Sequence, residues 1–471
     1  MGVYRISYAS DLGWANGEAA SKLAGSAATF DPATAGIDIF RTPGELRTGF
    51  SSTSIGTATV DQTIISMFAI TDNTGSVGRN IYAWGDAGDL YIISDAATPS
   101  VALGRAVTSS LVGNIVNHKN YVYYPRQSNI GRVGSTIGGG AMTYDDTYVI
   151  GQSSSYKGVT IQRPMHSWNG KMYWGNTYLL NYVLGSESTG NSGTTALTFE
   201  SDHCITALND NSTRLLIGAG IEPDPTQSTK TKAWLYIWDG VSTNYNDRIL
   251  FPEQFIHRID VLDNQVYCFG RNYLYRLVGT AFTIVATLNQ RVGIGGTAYN
   301  RGQLFWKDND TIRAIGTPHP QLPIARTTPY SGTGTTSGAI LWVQDAKLWS
   351  GDNSTLNEFK TGSSTGKTFL SRVISESQQF FVDKIRVYLT TNLASGDDLR
   401  VQIVDENAGT TVDVGQIDFA TYGAVNQVEL HSNQFTTACA QLSSMQIGLK
   451  FNAGAVRVRE VTVFTTAISQ R

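Results

Sequence analysis

Charge is scarce in this 471-residue chain: Asp, Glu, Lys and Arg make up 15% of it, against about 25% in an ordinary soluble domain. Its polarity comes instead from Ser, Thr, Asn, Gln and 48 glycines. Such a surface suits a durable extracellular or particle-bound protein better than a cytosolic enzyme. The 35 basic and 38 acidic side chains nearly cancel, leaving a formal charge of −3. No run of five or six like charges occurs, so the basic field that gathers nucleic-acid phosphates is missing.

Cysteine is equally sparse. Cys204, Cys268 and Cys439 are odd in number and far apart, which excludes a disulfide framework and a zinc knuckle. Cys268, within QVYCFG, reads as a small apolar core residue. No apolar run reaches the 18 residues of a membrane-spanning helix. The N-terminal MGVYRISYASDLGWANGEAA holds no signal-peptide core, and Ser7 stands one place late for myristoylation. A soluble chain folded where it is made is the expectation. Helical periodicity is nearly absent too, and GEAASKLAG, Gly17 to Gly25, is the one short exception.

What the chain does have is strands in pairs. A loosely apolar strand, a tight polar turn and a second strand with an aromatic or apolar centre recur seven times. Two copies are MHSWNGKMYWGNTYLLNY and IDVLDNQVYCFGRNYLYRL. The centres of the second strands are Tyr82, Tyr123, Tyr173, Leu216, Tyr267, Phe305 and Trp349, about 40 to 50 residues apart. Four short strands at that period mean propeller blades. A four-stranded sheet cannot bury both its faces alone, whereas radial packing against two neighbours buries both. Asn169–Gly170, Asp263–Asn264 and Arg301–Gly302 suit the left-handed backbone of tight hairpins. The fold class is therefore all-β, a seven-bladed β-propeller, with six or eight blades and a pair of twisted sandwiches left open as alternatives.

The grammar changes after TGSSTGK, residues 361–367, a small polar linker. FFVDKIRVYLT, DDLRVQIVD, NQVELHS, MQIGLKF and AVRVREVTVFTT alternate cleanly and predict an antiparallel β-sandwich of jelly-roll or immunoglobulin-like type. In the last of them Val456, Val458, Glu460, Thr462 and Phe464 take one face, and Arg457, Arg459, Val461 and Val463 take the other. The domains expected are an N-terminal arm (1–36), the propeller (37–360), the linker (361–367) and the sandwich (368–471).

Chemistry is harder to find. GSSTGKT, Gly362 to Thr368, resembles a phosphate-binding loop but has three residues between its glycines where four are required, and it joins two all-β units. GTGTTSG, Gly332 to Gly338, reads as an interblade loop. His118, His166, His203, His257, His319 and His431 show no metal-ligand spacing, and His166 and His257 read as hydrogen-bonded structural residues of first strands. No nucleophile elbow occurs. Glycan cleavage would need two carboxylates roughly 5 to 9.5 Å apart, for which Asp145, Asp146, Asp239 and Asp260 are the candidates. Glycan binding through exposed aromatic rings is the other sugar-directed reading, although Tyr173, Trp174, Tyr267 and Trp349 belong to the interblade core. No catalytic residue, cofactor or metal is assigned.

One stretch remains, IDIFRTPGELRTGFSS, Ile37 to Ser52. Its Pro43, Gly44, Leu46, Arg47 and Gly49 occupy a Pro-Gly-x-Leu-Arg-x-Gly pattern. With the degenerate blades and the terminal sheet domain, it resembles the tailed-bacteriophage tail and virion structural proteins that carry an irregular β-propeller. The WD and kelch blade signatures are absent. The resemblance implies a non-enzymatic tail component, a nozzle, hub or fibre-attachment ring. Its partners would be copies of itself and other tail or portal proteins, with DNA at most passing through a lumen and a host glycan as a further partner. The place would be the virion, after folding in the host cytoplasm. The arm would reach a neighbour, and Arg41, Pro43, Gly44, Leu46, Arg47 and Gly49 would form the entry into the first blade and an interface. Ring closure by the strand before Pro43 is expected, so that loss of residues 1–50 unfolds the chain and loss of 1–30 spares the propeller. The runner-up is a carbohydrate-binding or glycan-cleaving propeller.

Overall fold

The computed structural model describes residues 2–468 apart from 11, 18–28, 32–33, 35, 43, 56–59, 71–79, 95–97, 107–111, 120, 135–143, 154, 157–158, 161, 222–231, 318–324, 332–337, 344–346, 353–354, 361–362 and 436–440. Pro43, His319, Cys439, most of GEAASKLAG and nearly all of GTGTTSG lie outside the described residues. Among those described, helix is confined to Phe419–Tyr422 and a single turn at Ser432–Gln434.

Seven four-stranded antiparallel sheets succeed one another along the chain. Their second strands are Asn80–Gly85, Tyr121–Pro125, Lys171–Asn176, Leu215–Gly220, Gln265–Phe269, Gln303–Asp308 and Lys347–Asp352. Each holds one of the seven predicted centres, all of them buried. First strands of successive sheets lie beside one another from the second sheet to the fifth and from the sixth through the seventh to the first, the arrangement of a propeller with these sheets as blades 1 to 7. The hairpins turn as the sequence demands: φ is +48° and +72° at Asn169–Gly170, +49° and +62° at Asp263–Asn264, and +47° and +75° at Arg301–Gly302. Positive φ at both central residues matches the twist of the flanking strands.

The blades are held by side chains that belong to two blades at once. Tyr82 and Trp84 of blade 1 pack with Val122, Tyr124 and Val133 of blade 2. Tyr173 and Leu180 of blade 3 share a core with Ile217, Tyr236 and Trp238 of blade 4. Cys268 of blade 5, as predicted, is fully buried, and it sits in the core shared with blade 4. Blades 7 and 1 meet through Trp349, Leu356, Ile64 and Ile81.

Ring closure differs from expectation. The fourth strand of blade 7 is Ser52–Ile55, paired antiparallel with Thr355–Phe359, so the closing strand follows Pro43 rather than preceding it. Ile37–Asp38 instead pairs with Arg47–Thr48 in a two-residue hairpin. The Asp38 carboxylate accepts the Phe40 and Arg41 N–H groups at 3.0 and 3.1 Å, turning the chain after two residues and leaving no strand long enough to complete a blade.

The rest forms one eight-stranded antiparallel sheet in the order Gly2–Ser7, Val458–Ala467, Ile374–Leu389, Leu442–Ala453, Asp398–Asp405, Thr410–Asp418. Lys367–Leu370 pairs with Leu442–Ala453, and Gln427–His431 pairs with Ile374–Leu389. The first strand is the segment expected to reach a neighbour. It runs along Val458–Ala467 of its own chain from Gly2↔Thr465 to Ser7↔Glu460, because Ile6 finds a fully buried place there. Lys367, the end of the expected linker, already belongs to a strand, and no helix follows it, so the phosphate-loop geometry is absent there.

The two-face assignment of AVRVREVTVF also needs correction. Leu389 pairs with Val458 and Tyr388 with Glu460, so Arg459 is passed over in a register shift. A bulge reverses the parity of every residue beyond it. Val458, Val461 and Val463 are therefore all buried in one core, with Arg459 exposed.

Candidate functional site

Two places gather polar groups in unusual density: the join between propeller and C-terminal sheet, and the mouth of the propeller channel.

At the join, the hairpin Ile37–Asp38/Arg47–Thr48 lies between the fourth strand of blade 6 and the C-terminal sheet. Thr327 Oγ1 donates to the Ile37 carbonyl at 2.9 Å, and Gly36 N donates to Thr328 O at 2.7 Å. On the other side Leu46, fully buried, exchanges backbone hydrogen bonds with Val458 at 2.8 and 3.0 Å. Gly49 N donates to Gly36 O, and Gly49 O accepts from Ser364 N, both at 3.0 Å. A Cβ on Gly49 would stand 2.0 Å from the Pro329 carbonyl oxygen, which leaves room for glycine alone. Gly44, at φ +94°, faces open space. The join is thus a three-way seam.

Its charges are internal. Asp38, Glu45 and Arg47 are at most 7% exposed. Arg47 Nη1 lies 3.6 Å from Glu45 Oε2, and Arg457 Nη1 lies 4.0 Å from the same oxygen. The Arg41 guanidinium sits 3.6 Å over the Phe50 ring. Burial pushes the Asp38 carboxyl up, opposed by the Phe40 and Arg41 N–H groups and by the two arginines; it pulls both guanidiniums down. These side chains fasten segments to each other, and none of them lines the cavity described next.

The channel mouth is different. A cavity of about 260 Å³ opens beside the first strands of blades 2 to 6. Pro164, Ala207, Leu208, Ile259 and Ile294 give it apolar walls, and Asn114, Asn209, His257, Arg258, Asp260 and Tyr299 supply the polar groups. Several of these are spoken for. Asn114 clamps both polar atoms of the Met165 backbone, Asn209 Nδ2 donates to Ile259 O at 2.7 Å, and His166 Nε2 lies 2.9 Å from Asp210 Oδ2. Arg258 Nε donates to Asp260 Oδ2 at 2.9 Å and its Nη1 donates to Ile294 O.

Two groups are not. Asp260 is fully buried and its Oδ1 has no hydrogen-bond partner. His257 is 6% exposed, and neither ring nitrogen has one. His166 is thus the hydrogen-bonded structural histidine expected of a first strand, and His257 departs from that expectation. Burial, reinforced by Arg291 and Arg271, holds the His257 imidazole well below its ordinary value, hence neutral. Burial and the nearby Asp260 push the Tyr299 phenol up; its hydroxyl accepts the Val261 N–H at 2.9 Å.

The other carboxylate candidates are scattered. Asp145 and Asp146 lie in the fourth strand of blade 2, where Asp145 accepts from Thr189 Oγ1 at 2.6 Å and Asp146 binds Arg105 at 2.6 Å and Arg126 at 3.1 Å. Asp239 ties the loop after the third strand of blade 4. The Ser242 and Val241 N–H groups, the Ser242 hydroxyl and Asn246 all donate to it and hold its carboxyl far below the usual range. With Asp260 in the first strand of blade 5, the four occupy three separate parts of the propeller. The Asn114, Asn209, Arg258 and Tyr299 contributions escaped the sequence reading. The signal available was polar residues at the start of consecutive first strands, masked there by the apolar pattern of the blades.

No family model matches the chain, and no curated protein matches it by sequence. Among solved structures, the β-propeller domain of Myceliophteria thermophila Cps50 (Swd1) is 11% identical, covers 66% of this chain and 100% of its own, and superposes with a TM-score of 0.44. The WD40 β-propeller domain of Doa1 is 9% identical, with 67% and 97% covered and a TM-score of 0.42. The computationally designed Ika8 protein, 12% identical, gives 65%, 98% and 0.42.

Proposed function

We propose that the chain is a non-enzymatic structural component of a bacteriophage tail, a nozzle, hub or fibre-attachment ring that works through protein–protein interfaces. The observation that carries this reading is the continuity of one hydrophobic core. It runs from Phe305, Ile340 and Phe359 of blades 6 and 7, through Ile37, Phe40 and Leu46, into Val458, Ile385 and Leu449 of the C-terminal sheet. A part built this way passes force from one domain to the other without a hinge of bare linker. The sparse charge and the Pro43-to-Gly49 pattern support the same reading. So do apolar side chains left uncovered on the outermost strands of neighbouring blades, Leu250 and Ile284, both 60% exposed, where a second copy in a ring would pack.

The C-terminal domain belongs to this proposal as a jelly-roll or immunoglobulin-like sandwich. Ile374–Leu389 pairs with Leu442–Ala453 near its start and with Val458–Ala467 beyond, so the sheet can fold across it into two layers. The partners would be further copies and other tail or portal proteins, in the virion, with assembly following folding in the host cytoplasm. Light scattering on the purified chain tests the idea together with a glycan array. A ring-sized oligomer that ignores glycans is expected; a monomer that binds or trims a defined glycan overturns the reading in favour of a sugar-directed propeller.

A further inference from the structure

Between the third strand of blade 3, Leu179–Val183, and its fourth, Thr194–Thr198, the chain lies across blade 2. We infer that Leu184 to Asn191 is an acid-released strap: it closes the boundary between blades 2 and 3 near neutral pH and lifts as the medium acidifies, with His118 the group that starts the release. Its one apolar side chain, Leu184, is 44% exposed, so no buried apolar group anchors it. The fastenings to blade 2 are polar. Arg132 Nη1 donates to Gly185 O at 3.4 Å, Tyr148 donates to Glu187 Oε2 at 2.8 Å, and Thr189 Oγ1 donates to Asp145 Oδ2 at 2.6 Å. Gly190 N donates to Thr147 O at 3.1 Å, Asn191 Nδ2 to Tyr148 O at 2.8 Å, and Ile150 N to Asn191 O at 2.9 Å. A segment held this way opens before the blades it crosses.

At the head of the strap the Leu184 carbonyl accepts from both Lys119 and His118. His118 Nε2 lies 3.3 Å from that oxygen and so carries the proton, which leaves Nδ1 to accept the Ser167 hydroxyl at 2.9 Å. The ring is buried and neutral in this arrangement. The charged and titratable groups about it come from every neighbouring element: Lys119 in the adjoining turn, Tyr121 and Tyr123 on the second strand of blade 2, Arg132 on the third, Asp145 and Tyr148 on the fourth, and Glu187 on the strap. Burial, joined by Lys119, outweighs the Leu184 carbonyl and Glu187 and holds the imidazole below its ordinary 6.5. The closed strap therefore refuses a proton that the lifted one accepts. Closure is complete above pH 6.5 and weakens as pH falls toward the depressed value. An imidazolium there would also share one carbonyl with the Lys119 ammonium. Glu187 follows at lower pH. Burial raises its carboxyl, but the Leu184 and Gly185 N–H groups, at 2.6 and 2.8 Å, and the Tyr148 hydroxyl hold it below its ordinary 4.5, so its share is lost only beneath that pH.

The strap is independent of tail assembly and can be tested on the full chain by hydrogen–deuterium exchange, with protection corrected for the intrinsic pH dependence of exchange. Between pH 7 and 5 the protection of the Leu184, Gly185, Gly190 and Ile150 amides should fall about tenfold, the effect of one pH unit of depressed titration. Amides of the second strand of blade 3, Lys171–Asn176, should keep theirs. His118→Gln retains a donor for the Leu184 carbonyl without a titrating group, and its strap protection should stay level over the interval. That position is buried, so NMR titration of the His118 ring in the unsubstituted protein gives a second measure, with a midpoint below 6.5 expected. Glu187→Gln, on the strap itself, should lower protection already at pH 7 and still show the fall toward pH 5. Level strap protection in the unsubstituted protein overturns the inference. So does an equal fall in Lys171–Asn176, an equal fall in His118→Gln, or a His118 midpoint at or above 6.5.

Discussion

The propeller and the C-terminal sheet are built from similar strands by opposite means. Each blade pairs mainly strands that are neighbours in sequence, and in blades 3, 5 and 6 the first two strands are joined by only two residues. In the C-terminal sheet, Gly2 pairs with Thr465, and Asp31 bonds to Gln446 across 415 positions. The propeller thus repeats a local unit seven times and needs one distant contact, Ser52–Ile55 on Thr355–Phe359, to become a ring. The sheet needs distant contacts for its first strand and its seam. Repetition makes stability a sum of similar neighbours, whereas a sheet assembled from both chain ends stands or falls with a few residues at their meeting.

The hardest way to break the comparison is to cut the chain at its start. A truncation lacking residues 1–55 leaves blade 7 with three strands and strips the sheet of both Gly2–Ser7 and the join. Loss of the cooperative thermal transition is expected by circular dichroism and calorimetry. A truncation lacking only 1–30 removes the edge strand, together with Trp14 and Phe30, which pack on Phe369 at ring-centroid distances of 6.2 and 5.5 Å. Here the C-terminal sheet should melt earlier while the propeller transition persists. Equal melting of the shorter 56–471 chain and the full protein would show that closure by Ser52–Ile55 contributes nothing.

Legibility in the sequence follows the same divide. The seven second strands were readable because a buried aromatic or aliphatic centre recurs with a turn signature beside it, as at Asn169–Gly170. Pairing at a distance carries no such signature. GVYRIS reads as a free arm because nothing local says that Val461 and Val463 await it. The bulge at Arg459 was invisible because alternation tells which residues share a face only while the register holds. Of the candidate sites, Leu46, Arg47 and Gly49 lie at the seam, Pro43 lies outside the described residues, and the closing strand is Ser52–Ile55. Asp260 was visible as a carboxylate, but its orphaned oxygen shows only in the folded blades. Arg163 shows the same limit: fully buried, it donates to the carbonyls of Gln127 at 3.0 Å and Ser153 at 2.6 Å, partners that only the fold selects.

Charge in the two settings gives a finer contrast. Asp38→Ala removes the acceptor of two N–H groups and leaves Arg41 and Arg47 in the seam without it. Breaking a buried ionic group in this way costs about 3–5 kcal/mol, to be read from urea denaturation. Arg5→Ala breaks a pair of 2.6 Å with Glu460 on the edge strand, but the Arg5 side chain is 65% exposed, so a loss below about 1 kcal/mol is expected. Comparable losses would mean that the seam charges are as solvated as those at the edge.

Two glycines of the motif separate close packing from backbone conformation. Gly49→Ala drives a methyl group into the Pro329 carbonyl, and about 2–3 kcal/mol is expected, the upper part of the range for overpacking. Gly44→Ala meets nothing, and the cost is that of a positive φ, about 1 kcal/mol. Melting temperatures of the two variants decide it, and the reverse ranking would remove Gly49 from the seam.

The last contrast concerns the channel and depends on pH. His257 is buried neutral, with a folded value well below its ordinary 6.5, so below that pH the unfolded chain binds a proton that the folded chain refuses. The stability this provides is complete above pH 6.5 and is lost as pH falls from there toward the depressed folded value. Between pH 6.5 and 5 the slope from one such proton approaches about 1.4 kcal/mol per pH unit. His257→Gln removes the titrating group while keeping a polar side chain, so its stability should fall less steeply than the wild type's over that interval. Arg258 and Asp260 remain in both proteins, and the difference between the two profiles therefore isolates the imidazole. Parallel profiles would mean that His257 takes up a proton as readily in the fold as in the unfolded chain, so that the channel mouth would gain a positive charge as pH falls.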